Sequence, residues 1–135
     1  MTVSFEGIGE NVVTFYNAAA SAAEAGYPVK MSGSGEVCKA ADGEAFVGVA
    51  RAADADFAAV QTGGYAKAAC SGTAPSVGLA RLVADGGGGV KLDAGTTVTV
   101  TVGETGYDTT GKTYTGRMYV VVDVDTAAGT VGFIL

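Results

Sequence analysis

Histidine and tryptophan are absent from this chain of 135 residues. Without histidine there is no Ser–His or Cys–His nucleophile pair and no imidazole ligand for a metal. Proline and cysteine occur 2 times each. Cys38 and Cys70 form no CxxC, so two small buried thiols are the first expectation and a mutual disulfide the second. Charge is sparse and basic charge sparser, with 8 Lys and Arg against 14 Asp and Glu and a formal net charge of −6. No two of the basic residues are adjacent. A domain that grips phosphate backbones shows a basic stripe, so nucleic acid is not an expected partner. The opening "MTVSFEGIGE" has neither the basic nor the apolar region of a signal peptide. The most apolar stretch, residues 12–25, is broken by Thr14, Tyr16, Asn17, Ser21 and Glu24 and is too short and polar to span a bilayer. No membrane association is expected, and synthesis in a cytoplasm is.

What the chain has instead is glycine, 22 residues of it, set among alanine, valine and threonine. The pattern is strand, glycine turn, strand, repeated. "PVKM-SGSG-EVCKA", "FAAVQT-GG-YAKAAC", "RLVAD-GGGG-VKLDA" and "VVVDVD-TAAG-TVGFIL" each read as a hairpin. In "TTVTVTV", Val98, Val100 and Val102 share one face and Thr97, Thr99 and Thr101 the other. In "RMYVVVDVD" the same alternation puts Met118, Val120, Val122 and Val124 opposite Tyr119, Val121, Asp123 and Asp125. Short strands at even spacing define an all-β fold, a small antiparallel β-barrel or β-sandwich, as a single domain over residues 1–135. A short helix near residues 17–25 is a further expectation, with Asn17 as N-cap of "AAASAAEA" and Gly26 as its stop.

"GYDTTGKT", residues 106–113, matches the spacing of a phosphate-binding loop through Gly106, Gly111, Lys112 and Thr113. Such a loop needs a strand before it and a helix after it, whose N-terminus completes the phosphate site. The strand is present at residues 97–102. The continuation "TYTGRMYVVVDVD" is β-branched and aromatic, which suits a strand and not a helix. "YVVVD" mimics the acidic strand of a nucleotide fold, but six residues are too few for the crossover that parallel strands require. Residues 103–116 therefore read as a long polar hairpin tip, and nucleotide binding stands as the alternative function.

Asp123 and Asp125, and likewise Asp54 and Asp56, sit two apart as paired carboxylates do in cation sites. Polar strand ends and turns are the plainer reading, and no metal or cofactor is expected. The six tyrosines are spread among turns and strand ends. Tyr107 and Tyr114 lie in the 103–116 segment, where tyrosine suits a protein interface.

Three segments in order, "AGYPVKMSGSGEVCKAADGEAFVGVA", "AAVQTGGYAKAACSGTAPSVGLARLVADGGGGVK" and "GRMYVVVDVDTAAGTVGFIL", resemble the capsid decoration (cement) proteins of tailed phages and prophages. They cover more than half of the chain; residues 1–24 and 103–116 depart from that pattern. The resemblance implies a compact β-barrel or sandwich that binds the exterior of a filled head where capsid subunits meet. It implies the major capsid protein as partner, a homo-oligomer with a trimer favoured, residence on the virion and no catalytic residue. In "TVSFEG" Val3 and Phe5 alternate with Thr2 and Ser4, as in a strand that adds to another sheet, so residues 1–7 are a candidate N-terminal arm. Val3, Phe5, Tyr107 and Tyr114 are the candidate partner-binding residues. A surface β-domain that binds glycan or protein is the remaining alternative.

Overall fold

The computed structural model describes residues 9–104 and 106–135, and these fold entirely as strands, turns and loops. The first five strands are β1 (Asn11–Asn17), β2 (Pro28–Gly33), β3 (Glu36–Lys39), β4 (Gly48–Ala53) and β5 (Phe57–Gly63). They close into a barrel in the order β1-β3-β2-β4-β5, with β5 pairing back to β1. Only the β1–β3 pair is parallel. Closure leaves the barrel no free strand edge. A five-stranded antiparallel sheet follows, ordered β6-β12-β11-β7-β8. Its strands are β6 (Tyr65–Ala69), β7 (Gly78–Ala84), β8 (Val90–Leu92), β11 (Arg117–Asp125) and β12 (Thr130–Ile134). Between β8 and β11 the chain makes a separate two-stranded sheet from β9 (Thr96–Val102) and β10 (Tyr107–Thr113).

Two hydrophobic clusters hold the frame. The barrel interior is filled by Ala23, Val29, Val37, Ala50, Ala58 and Val60. The second cluster joins barrel to sheet. Ala40, Phe46 and Val49 pack onto the inner face of the sheet, against residues that include Leu82, Val90, Val131 and Phe133. Phe46, Tyr119 and Phe133 form an aromatic trio, with Phe46 stacked on Tyr119 at 5.1 Å and Phe133 edge-on to both. The Tyr119 hydroxyl reaches the Phe46 carbonyl at 3.3 Å, so the ring's one polar atom is paired inside the core.

Three of the four hairpins form as their turns dictate: β2–β3, β7–β8 and β11–β12. The fourth does not. β5 and β6 belong to different sheets, and Gly64, at φ 79°, is where the chain leaves the barrel. Gln61, fully buried, secures this crossing. Its Nε2 donates to the carbonyls of Gly63 at 2.9 Å and Tyr65 at 2.7 Å, while its Oε1 accepts from Arg51 at 3.0 Å. Left unpaired in this buried position, the amide would cost about 1–3 kcal/mol.

The expected helix at residues 17–25 is absent. Asn17 ends β1, and its side-chain amide pairs with the peptide of Ala23 as a neighbouring strand would, accepting at 2.9 Å and donating at 3.0 Å. A second donation goes to Asp54 at 2.9 Å. Ala18 and Ser21 bond to Val37 and Lys39 of β3, and Ser21 adopts φ 57°. Two turns of helix carry the full nucleation cost. These partners offer the backbone a better alternative, and Ala23 plugs the barrel end.

The alternation predicted for residues 117–125 holds until a bulge between Val121 and Asp123. Before the bulge Tyr119 and Val121 face the core; after it Val124 packs inward and Asp123 and Asp125 are exposed. One extra residue reverses which face each later side chain takes.

Candidate functional site

The β9–β10 ribbon projects from the frame as an arm, and every residue of both strands is exposed. Its register pairs Val102 with Tyr107, Val100 with Thr109, Val98 with Gly111, and Thr101 with Asp108. Directly opposed residues in an antiparallel pair share a face. One face therefore carries Val98, Val100, Val102 and Tyr107, which are 38%, 54%, 43% and 66% exposed. The other carries Thr97, Thr99, Thr101, Asp108, Thr110 and Lys112. The arm is amphipathic, and its apolar side touches no core.

A two-stranded ribbon is marginal in water on its own, so its root matters. Asp93, just after β8, is the clamp. Its Oδ1 accepts from the Gly95 N–H at 2.9 Å, and its Oδ2 accepts from the N–H groups of Thr115 at 2.9 Å and Gly116 at 2.8 Å. Both legs of the arm thus hang on one carboxylate. Burial pushes the Asp93 carboxyl up. The N–H groups of Gly116, Gly95 and Thr115, with the Arg81 charge, outweigh burial and hold it below its usual range. Arg81 donates to the Gly116 carbonyl at 3.0 Å and lies over the Tyr114 ring. That ring in turn covers Gly95, where φ is +74° and an added Cβ would meet the ring at 2.7 Å.

This root corrects the reading of residues 103–116 as one hairpin tip between neighbouring strands. Residues 107–113 are themselves a strand, the turn is confined to the neighbourhood of Gly103 and Gly106, and β11 pairs with β7 and β12 and not with β9. The phosphate-loop match falls entirely on this arm. Gly111 lies mid-strand opposite Val98, and no helix follows Thr113. Lys112 Nζ donates to the Ala94 carbonyl at 3.1 Å, and the Thr113 hydroxyl reaches the Thr96 carbonyl at 3.4 Å. The converging backbone N–H groups of a phosphate cradle are replaced here by a ladder.

The other sequence candidates separate cleanly. Tyr107 stands on the arm's apolar face and Tyr114 in its root. Val3 and Phe5 lie outside the described residues. One aspartate of each spaced pair caps a turn: Asp54 accepts from the N–H groups of Asp56 and Phe57, each at 2.8 Å, and Asp125 accepts from Ala128 at 2.9 Å. Asp85 does the same for Gly87 and Gly89 within the glycine run. Asx turns of this kind account for Asp54, Asp85 and Asp125. Among the described residues no group of three His, Cys, Asp or Glu side chains is placed to hold a metal. Cys38 and Cys70 are both free thiols, Cys38 buried and Cys70 partly so.

A second exposed apolar surface escaped sequence reasoning. On the outer face of the five-stranded sheet, Leu79, Val120 and Ile134 align across β7, β11 and β12, with Tyr65 of β6 opposite Ile134. Met118, opposite Arg81, extends the patch along β11, and Leu79 is 72% exposed. The alternation in each strand was readable; the strand order that lines these residues up was not. A cleft of about 250 Å³ between barrel and sheet is lined by Gly26, Val49, Arg51, Gln61, Tyr65 and Lys67. Its Arg51 is engaged by Gln61 and Glu10, so the cleft belongs to the crossing already described.

Comparisons with protein-family models, with curated proteins and with solved structures found no match to this chain.

Proposed function

We propose that this chain is a structural virion protein: a decoration subunit that binds the outside of a phage or prophage capsid and stabilises it. It is made in a bacterial cytoplasm, acts without a cofactor and works as an oligomer, a trimer being favoured. Its principal partner is the major capsid protein. The observation that carries this reading is the pairing of a closed, stiff frame with a firmly rooted arm whose valine and tyrosine face is bare. Contiguous exposed apolar surface on a folded chain marks sites of protein interaction. A cement function needs adhesive surface on a rigid body and no reaction chemistry. The order of the turn-and-strand segments, which resembles phage decoration proteins, supplies the identity of the partner.

The test is co-sedimentation of the purified chain with filled and emptied heads of the phage or prophage that encodes it. Saturable binding, and a rise in the temperature at which filled heads release their DNA, are the expected results. Heads that neither bind the chain nor gain stability would end the proposal.

A further inference from the structure

We infer that the arm of one copy lies across the outer sheet face of another copy, in a head-to-tail contact that closes into a small ring. The inference rests on reading the chain as an oligomeric subunit; it does not depend on the capsid. It begins from the fact that a single chain carries two bare apolar surfaces, the Val98–Val100–Val102–Tyr107 face and the Leu79–Val120–Ile134 row.

The two surfaces match in size and chemistry. The apolar face from Val98 to Val102 extends about 13 Å, and two strands are about 10 Å wide. A row across four strands at about 4.8 Å spacing covers about 14 Å from first to last. No charged side chain stands on the arm's apolar face. The outer sheet face carries Lys67 and Arg81 together with Asp123 beside its apolar row, so its border is of mixed sign, as is that of the arm with Glu104, Asp108 and Lys112. Copies with a net charge of −6 repel one another, which favours a contact made between uncharged faces. The arm leaves Leu79 and Val120 of its own chain exposed, so the face is open to a neighbour's arm.

Area argues for closure. One arm contact covers roughly 200–300 Å² on each partner, or roughly 400–600 Å² in total, short of the roughly 1,200 Å² that stable interfaces bury in total. A copy that both gives an arm and receives one doubles its contact. Head-to-tail contacts that close make rings, and those that do not close make filaments.

Cysteine cross-linking reads the contact directly. In a Cys70→Ser background, Val100→Cys is placed on the arm and Val120→Cys on the sheet face, in chains of different tag mass. Both positions lie outside the two cores, and thermal melts of each variant serve as the check on folding. Under mild oxidation the mixture should give the heterodimer, whereas either variant alone should stay uncross-linked. The double variant Val100→Cys/Val120→Cys should yield one closed cross-linked species. Wild-type chain should sediment as a single oligomer that Val100→Asp converts to monomer. Cross-links within either single variant as strong as in the mixture, or none in the mixture, would overturn the inference. So would a wild-type monomer at about 100 µM, or an open series of growing species. None of these measurements uses heads, so failure here leaves the head-binding result to stand or fall separately.

Discussion

The frame buries alanines while the arm exposes valines. Ala50, Ala58, Ala66, Ala68 and Ala80 are buried, yet the larger Val98, Val100 and Val102 face water. Side-chain hydrophobicity alone would order them the other way, since burying a valine is worth about 1.5–3 kcal/mol. The difference is topological. Frame strands close over one another and exclude water from whatever lies between them. β9 and β10 have only each other, and one layer cannot bury its own face. A bare valine face on a well-clamped ribbon is therefore surface held ready for something else.

The largest contrast lies between the aromatic trio and the arm. Phe133→Ala removes a fully buried ring packed on Phe46 and Tyr119 and should cost about 3–5 kcal/mol in urea unfolding. In chain diluted until it is monomeric, Val100→Thr should shift stability by no more than about 0.5 kcal/mol. A cost for Val100→Thr approaching that of Phe133→Ala would mean the arm is packed in the isolated chain, and the contrast would vanish.

The next effect is local. Asp93→Asn leaves one carbonyl oxygen where two carboxylate oxygens served three N–H groups. Hydrogen exchange should accelerate in residues 96–113 and stay unchanged in the barrel. Acid should do the same to the unaltered chain. The folded-state pKa of Asp93 is depressed, so its contribution is fully present above the ordinary carboxylate range of about 4 and is lost as pH falls through the depressed value. Protection of the arm amides, taken relative to their intrinsic exchange rate at each pH, should therefore fall below about pH 4 in the wild type, with a smaller fall in Asp93→Asn. Equal acid responses in the two would remove Asp93 as the clamp.

The smallest effect is expected where the phosphate-loop pattern falls. An added Cβ at Gly111 meets nothing within 4 Å, and Lys112 makes one exposed bond. Gly111→Ala and Lys112→Ala should each change stability by less than about 0.5 kcal/mol. Mg-ATP should not raise the melting point of wild type or variant. A nucleotide-dependent rise abolished by Lys112→Ala would revive the nucleotide reading.

Local rules were sufficient for much of this molecule. Alternating β-branched residues and glycine turns specified strands and three hairpins, because side-chain direction along a strand and positive φ at a turn are properties of a few neighbouring residues. The same rules exposed the poor fit of Gly106–Thr113 to a nucleotide loop. They failed where a distant partner outbid a near one. Asn17 serves Ala23 and Asp54 in place of a helix, Gln61 holds a crossing where two glycines suggested a turn, and residues 107–113 pair backwards onto β9.

By itself, then, the chain's order of residues determined an all-β protein, its turns and the two-sided character of its strands. Which strands became neighbours, which valines were left bare and which carboxylate would anchor the arm were decided only by the folded whole. Those outcomes depend on contacts between residues far apart in the chain, and no local pattern encodes the choice among them.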